Sequence, residues 1–290
     1  MRKTRPDPFL RELCLQSAPV AVGGLGGSGT RLVAEMLART GCYIGSDMNH
    51  ASDNLWFTLL FKRPEVLKNS TLTVQSLTLF FKIMNNKRLS CDEMNYLSYL
   101  DRLPCADFNI DWSALRVNSI RKLAKNSLLH GGYWGWKEPN THLYLDSLLR
   151  YVPRIKYIHV MRHGLDMAFS SNKTQLWLWG NHILADKSNS MQPDRALRYW
   201  IVAHERIRKA ATRYPEQVML LNYDELCMHP EVGVDAVEKF LMLTLSESCR
   251  RDLLAMPKHT SSVARYRQFG HDCFEKRDID CVRGFGFSVD

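Results

Sequence analysis

The sequence predicts an α/β fold built on a parallel sheet. Three observations lead there. Short β-branched or apolar runs recur between amphipathic helical stretches. A glycine-rich segment joins the first such run to the first helix, and the clearest run, Ile155 to Met161, leads straight into another helix. Strands separated by helices pair in parallel, and such sheets carry their sites at the carboxyl ends of the strands.

The elements follow in order. Pro19 to Val22 is a short strand that runs into Gly23-Gly24-Leu25-Gly26-Gly27-Ser28-Gly29. Thr30 to Arg39 is a helix with Leu32, Met36 and Leu37 on one face and Gly41 just past its end. Residues 53–127 carry short helical patterns, with Leu55 to Phe61 and Leu72 to Met84 the best pieces and Pro64 and Pro104 as breaks. This stretch reads as a helical insertion that covers a site. Gly132 to Lys137 reads as a strand, Thr141 to Tyr151 as a helix, and a helix begins at Leu165 and runs to Ser171. Asp194 to Tyr214 is a long amphipathic helix stopped by Pro215. Val218 to Leu221 is a further strand, followed by helices over Glu231 to Leu241 and Glu247 to Met256. No internal repeat interrupts this order, and residues 1–290 are expected to form a single domain.

Composition sets the bounds. The chain has 290 residues, of which 45% are hydrophobic and 24% charged, so it can bury a substantial core. Disorder and a small disulfide-stapled fold are both excluded. A net charge of +9 favours an anionic partner. The basic N-terminus has no apolar run behind it, and no window reaches the roughly 20 apolar residues of a membrane span. A soluble, cytoplasmic protein is expected. The eight cysteines show no zinc-like spacing, so most are expected as free thiols and no metal site is expected. Cys273 and Cys281 share a polar tail and would pair only in an exported protein.

The glycine segment is an anion site by construction. The first N–H groups of a helix have no intrahelical partner, the helix dipole favours negative charge there, and glycines let backbone approach phosphate oxygens. Against the nucleotide-hydrolase loop G-x-x-x-x-G-K-[ST], Gly24 and Gly29 align. Thr30 then stands where the lysine belongs, and Arg31 where the metal-binding Ser or Thr belongs. A dinucleotide loop can be laid on Gly24, Gly26 and Gly29, but no acidic ribose ligand follows at the right distance.

These residues resemble the sulfotransferases that use 3′-phosphoadenosine 5′-phosphosulfate (PAPS). Gly27-Ser28-Gly29-Thr30-Arg31 is similar to the S-G-T portion of the family's first signature. The resemblance implies a 5′-phosphate cradle made by Gly26, Gly27, Ser28, Gly29, Thr30 and Arg31. Arg162-His163-Gly164-Leu165-Asp166-Met167-Ala168-Phe169-Ser170 fits the second signature, R-x-x-x-D-x-x-x-S after a strand. There Arg162 and Ser170 would hold the 3′-phosphate. An arginine fork suits a phosphate dianion on physical grounds as well.

Smaller matches extend the likeness from about Pro19 to Arg267, with 53–127 and the tail unmatched. Asn222-Tyr223-Asp224-Glu225-Leu226 resembles a Y-E-D-L segment whose tyrosine lies near the adenine. Trp136-Lys137-Glu138-Pro139 resembles a W-x-K-x-P stretch of bacterial members. Ser261-Ser262-Val263-Ala264-Arg265 resembles a late segment that returns to the 3′-phosphate, which brings in Arg265. The implied fold is a P-loop-like three-layer sandwich with a central parallel sheet and a helical insertion over the site. The implied reaction moves a sulfuryl group to a hydroxyl or amine, leaves adenosine 3′,5′-bisphosphate and needs no metal.

One departure bears on catalysis. Many members carry Lys or Arg just before S-G-T, and this chain has Gly27 there. Arg31, Lys137 or Lys173 would have to supply that charge. For the base, the segment after the first helix offers Asp47 first, Asp53 second and His50 third, although Asp53 also suits a helix N-cap.

Two other classes stand beside this reading: a phosphotransferase with a degenerate phosphate loop, and a non-enzymatic polyanion binder. Trp177, Trp179, Tyr199 and Trp200 near Lys173, Arg195 and Arg198 could interleave aromatics with cations, although their helical spacing suits a core better. The expected partner is a small nucleotide rather than a nucleic acid. The acceptor is open, since Trp56, Phe57 and Phe61 suit a lipid, a phenol, a sugar face or a plain helix core.

Overall fold

A computed structural model describes residues 18–106, 108–123, 133–258 and 263–289. Their contacts group into two compact units. The first runs to Val22 and again from Gly41 to Lys156; the second comprises Gly23–Thr40 and the chain from Tyr157 onward.

The central sheet has four strands, β1 (Val20–Gly24), β2 (Gly135–Lys137), β3 (Lys156–Met161) and β4 (Val218–Asn222), in the order β2-β1-β3-β4. Helices flank it. In the first unit β1 and β2 run parallel, with Val20 opposite Gly135 and Val22 opposite Lys137. In the second, β3 and β4 run parallel, with Tyr157 opposite Val218 and Met161 opposite Asn222. Every residue of β1 and β2 is buried, as a sheet covered on both faces requires. The expected α/β fold with a parallel sheet is therefore what the chain adopts.

Helix α1 (Thr30–Arg39) has the bounds read from the sequence. The stretch expected as a helical insertion holds five helices: α2 (Leu55–Phe61), α3 (Pro64–Lys68), α4 (Ser70–Met84), α5 (Cys91–Leu100) and α6 (Ile110–Leu123). Their starts have local causes. Asn54 caps α2 by accepting from the Phe57 N–H, and Asn69 caps α4. Ser90 and Glu93 form a reciprocal capping box on α5. Pro64, read as a break, instead opens α3, because a first-turn proline lacks only an N–H that would go unused.

Aromatic rings form the core of the first unit. Phe57 stacks on Phe61 at 4.2 Å and on Trp136 at 5.7 Å, and Phe80 meets Phe57 edge-on at 5.2 Å. Burying each such phenyl ring is worth about 1.5–3 kcal/mol of transfer free energy. Trp56, Phe57 and Phe61 are fully buried here, so the helix-core alternative describes them.

A 3₁₀ turn (Pro139–Tyr144) and α7 (Leu145–Tyr151) replace the single helix expected from Thr141. The second unit adds α8 (Gly164–Ala168), α9 (Thr174–Ile183), α10 (Pro193–Arg213), α11 (Tyr223–Met228), α12 (Pro230–Leu241), α13 (Glu247–Ala255) and α14 (Lys276–Gly284). Helix α8 stops at Ala168, short of the expected Ser171. Helices α9, α11 and α14 carry too little periodic apolar sequence to stand out: α14, in the tail read as polar, buries only Asp278, Ile279 and Val282. Cys273 and Cys281 are free thiols. Among the described residues, no helix is long and apolar enough to cross a membrane.

Candidate functional site

The glycine segment lies in the second unit, between the end of β1 and α1. Gly27 and Gly29 have φ of 94° and 93°, a left-handed geometry that a side chain resists. At Gly29 a Cβ would stand 2.0 Å from the Tyr223 ring, so the ring packs directly on the loop backbone. Gln175 of α9 braces the other end: its Oε1 accepts from the Gly26 N–H at 3.0 Å, and its Nε2 donates to the Gly24 carbonyl at 3.4 Å. Sequence reasoning missed Gln175, because nothing in its neighbourhood marks a glutamine as a loop ligand.

Thr30 and Ser28 are buried, while Gly27 is exposed. The Ser28 Oγ is enclosed yet finds no hydrogen-bond partner among the described residues. A buried hydroxyl left unpaired costs about 1–3 kcal/mol, and a native fold rarely keeps one without a reason. Arg31 points elsewhere. Its side chain is 59% exposed and lies 3.9 Å from Glu35, one turn along α1.

Arg162 follows β3 and reaches this loop. Its Nη1 donates to the Gly27 carbonyl at 3.5 Å, and its guanidinium lies over the Tyr223 ring at 5.5 Å. Its backbone is fixed where Trp200 Nε1 donates to the Arg162 carbonyl at 3.1 Å. The Ser170 Oγ lies 4.0 Å from the point a Gly27 Cβ would occupy. The structure thus brings Gly27, Gly29, Arg162, Ser170 and Tyr223 together.

Two carboxylates complete the cluster. Asp224 Oδ2 accepts from the His163 N–H at 3.0 Å, and its Oδ1 lies 3.8 Å from Arg162 Nε. Burial pushes the Asp224 carboxyl above its ordinary value, while the His163 N–H and Arg162 pull the other way. Burial also pushes the Tyr223 hydroxyl up to about 12, so it stays protonated and can donate. Asp166 accepts from the Ala264 and Tyr266 N–H groups, each at 2.9 Å. Arg265, half-buried, lies between those two residues. Ser261 and Ser262 lie outside the described residues.

A cleft of about 350 Å³ opens beside Gly26, lined among others by Met167, Asn172, Lys173 and Tyr199. Lys173 donates to the Ala168 carbonyl, and burial lowers its pKa.

The remaining candidates lie in the first unit. Lys137, at the carboxyl end of β2, is buried; its Nζ pairs with Asp53 Oδ1 at 2.5 Å and donates to the Ala51 carbonyl at 2.8 Å. Asn49 Nδ2 donates to Asp53 Oδ2 at 2.8 Å. Asn54, rather than Asp53, caps the following helix, which leaves Asp53 to Lys137. Asp47 is engaged with Arg116, whose Nε lies 3.1 Å from its Oδ2, and His50 is exposed. Glu138 is fully buried beside this pair. Burial, then the Asp53 charge, pushes its carboxyl up to about 7, against the pull of Lys62 and Asn140.

The aromatic–basic stretch does not form a polyanion groove. Trp179, Tyr199 and Trp200 are buried, Arg195 pairs with Asp186 at 2.7 Å, and Arg198 pairs with Glu275 and Asp278. Trp177 alone of the four aromatics is exposed.

A sequence model of the sulfotransferase family matches residues 19–247. No curated protein matches the chain significantly. Among solved structures, the chain is similar to the sulfotransferase domain of the olefin synthase of Synechococcus PCC 7002. The two are 17% identical with a TM-score of 0.52, over 94% of this chain and 97% of that one. The sulfotransferase domain from the curacin biosynthetic pathway is 11% identical with a TM-score of 0.50, over 94% and 99%. A sulfotransferase from Mycobacterium avium is 14% identical with a TM-score of 0.49, over 94% and 78%. For the first two of these, at such identities, the likeness is one of fold.

Proposed function

Because the chain belongs to the sulfotransferase family, we propose that it moves a sulfuryl group from PAPS to a hydroxyl or amine acceptor, releasing adenosine 3′,5′-bisphosphate. The observation that carries this reading is the meeting of the glycine loop with Arg162, Ser170 and Tyr223. The unpaired Ser28 hydroxyl fits a 5′-phosphate, which would give it an acceptor. Gly27, Gly29 and Thr30 offer backbone N–H groups at the start of α1 for the same phosphate, while the Gly26 N–H is held by Gln175. Arg162, Ser170 and Arg265 are assigned to the 3′-phosphate and Tyr223 to the adenine side.

When bound, the donor supplies a sulfuryl group on a phosphate leaving group. The chain has to position the reactants, offer positive charge where the leaving group gains negative charge, and take one proton. Asp53 is proposed as the base: with donor bound, its carboxylate would take the proton that the acceptor oxygen or nitrogen gives up on bonding to sulfur, as adenosine 3′,5′-bisphosphate leaves. Lys137 is proposed as the cation, since it is buried and held in place, whereas Arg31 is spread on the surface. Both stand at a strand's carboxyl end or in the loop packed against it, where sites of parallel α/β sheets lie. The phosphotransferase alternative lacks residues to carry it, with Thr30 and Arg31 at the positions of the lysine and the metal-binding hydroxyl.

Transfer of labelled sulfate from PAPS across phenolic, sugar, lipid-alcohol and amine acceptors tests the reading. Transfer to one class is expected, and Arg162→Ala should weaken donor binding about a hundredfold by removing a bidentate charged contact. No transfer to any class, together with stabilisation by ATP–magnesium alone, would overturn it.

A further inference from the structure

We infer that Asp166 is a positioning residue that gives the donor site its selectivity for a 3′-phosphorylated nucleotide, by anchoring the chain on both sides of Arg265. The inference rests on the donor assignment above. Asp166 is the middle residue of the Arg162-to-Ser170 signature, and its side chain is buried in α8. Neither the signature spacing nor the phosphate chemistry gives it a task.

Its two oxygens are spent on backbone rather than on a cation. Oδ2 takes the Ala264 N–H and Oδ1 the Tyr266 N–H, each at 2.9 Å and across 98 and 100 residues of chain. These are charge-assisted bonds, the stronger kind, and they leave the carboxylate satisfied. The residue between them is Arg265. One carboxylate therefore fixes the path of the main chain from which Arg265 springs.

Two further observations show that this path has to be held. Ala264 has a φ of 59°, a left-handed conformation that a non-glycine residue keeps only where its surroundings impose it. Tyr266 lies flat on the His163 ring, centroids 4.8 Å apart and planes 14° apart. His163 Nε2 in turn meets the Ser288 carbonyl at 2.8 Å, while its Nδ1 accepts from the Leu165 N–H. The five residues Arg162 to Asp166 thus present one phosphate ligand directly and hold a second by its neighbours. Loss of Asp166 should move Arg265 without touching the glycine loop, so the damage should fall on the 3′-phosphate and spare the 5′ side.

Calorimetric titration with adenosine 3′,5′-bisphosphate and with adenosine 5′-phosphate separates the two ends, since these ligands differ only in the 3′-phosphate. The wild-type protein should prefer the bisphosphate. Asp166→Asn should reduce that preference about tenfold while the 5′-phosphate affinity stays within about threefold. Ala264→Pro, which removes one of the anchored N–H groups and cannot adopt the observed φ, should do the same and decides the matter if the Asp166 variant fails to fold. An unchanged preference in a folded variant, or an equal loss for both ligands, would overturn the inference and leave the donor assignment standing. A wild-type protein with no preference for the bisphosphate would instead refute the donor assignment itself.

Discussion

Replacing Ser28 by alanine should stabilise the protein alone and weaken it as a nucleotide binder. The hydroxyl is about 1% exposed and unpaired, so its removal should recover about 1–3 kcal/mol of desolvation cost. At about 2–4 °C per kcal/mol for a domain of 150–250 residues, the melting temperature should rise by several degrees without ligand. Adenosine 3′,5′-bisphosphate reverses the order. A hydrogen bond to a charged phosphate is worth about 1.5–3 kcal/mol, so the variant should bind about tenfold to a hundredfold more weakly. At a ligand concentration 100 times the wild-type Kd, ligand stabilises the wild type by about 2.7 kcal/mol and a tenfold weaker variant by about 1.4 kcal/mol. Thermal unfolding with and without the bisphosphate reads both effects in one experiment. A variant that is destabilised alone, or that gains as much from ligand as the wild type does, would refute the assignment of this hydroxyl to a phosphate.

Three further outcomes are expected. Gly29→Ala combines left-handed backbone strain of about 1–2 kcal/mol with overlap on the Tyr223 ring worth about 1–3 kcal/mol, and chemical denaturation should show the second part vanish when Tyr223→Ala is added. Asp53→Asn should lower kcat by at least about a hundredfold with the donor KM little changed, while Asp47→Asn, whose carboxylate is engaged with Arg116, should stay within a few-fold; steady-state kinetics showing the reverse would move the base to Asp47. Glu138 keeps its proton in the folded protein up to about pH 7, whereas the unfolded chain releases it near the ordinary value of 4.5. The folded state therefore binds more protons across that window, and this group's contribution falls as pH rises from about 4.5 to 7 and is level above. Glu138→Gln should flatten that part of the stability–pH curve, and an unchanged slope would rule out the buried carboxyl as its source.

What could be read from sequence follows the range over which the physics acts. The loop from Gly23 to Gly29 and the helix behind it were legible because glycine spacing and apolar period act over a few residues. Arg162 and Ser170 stood out through resemblance to a family signature, and the fold places both beside Gly27. Asp166 sits in the same stretch, but its partners are about a hundred residues away, and no local rule reaches them. Asp53 and Asn54 both suit a helix cap; what separates them is the buried Lys137 that claims the aspartate. Helices α9, α11 and α14 went unread because tertiary contact, rather than their own pattern, holds them. The net charge is used in the same selective way: Arg195, Arg198 and Arg250 are tied to carboxylates, whereas Arg162, beside Asp224, also meets the glycine loop.

The central claim is that the loop and Arg162 recognise a 3′-phosphorylated adenosine nucleotide. Titration of the wild-type protein with adenosine 3′,5′-bisphosphate without metal, and with ATP plus magnesium, tests it most directly. The account predicts saturable binding of the bisphosphate, lost in Arg162→Ala, and at least about tenfold weaker binding of ATP–magnesium. Tighter binding of ATP–magnesium, or bisphosphate binding that survives Arg162→Ala unchanged, would contradict it.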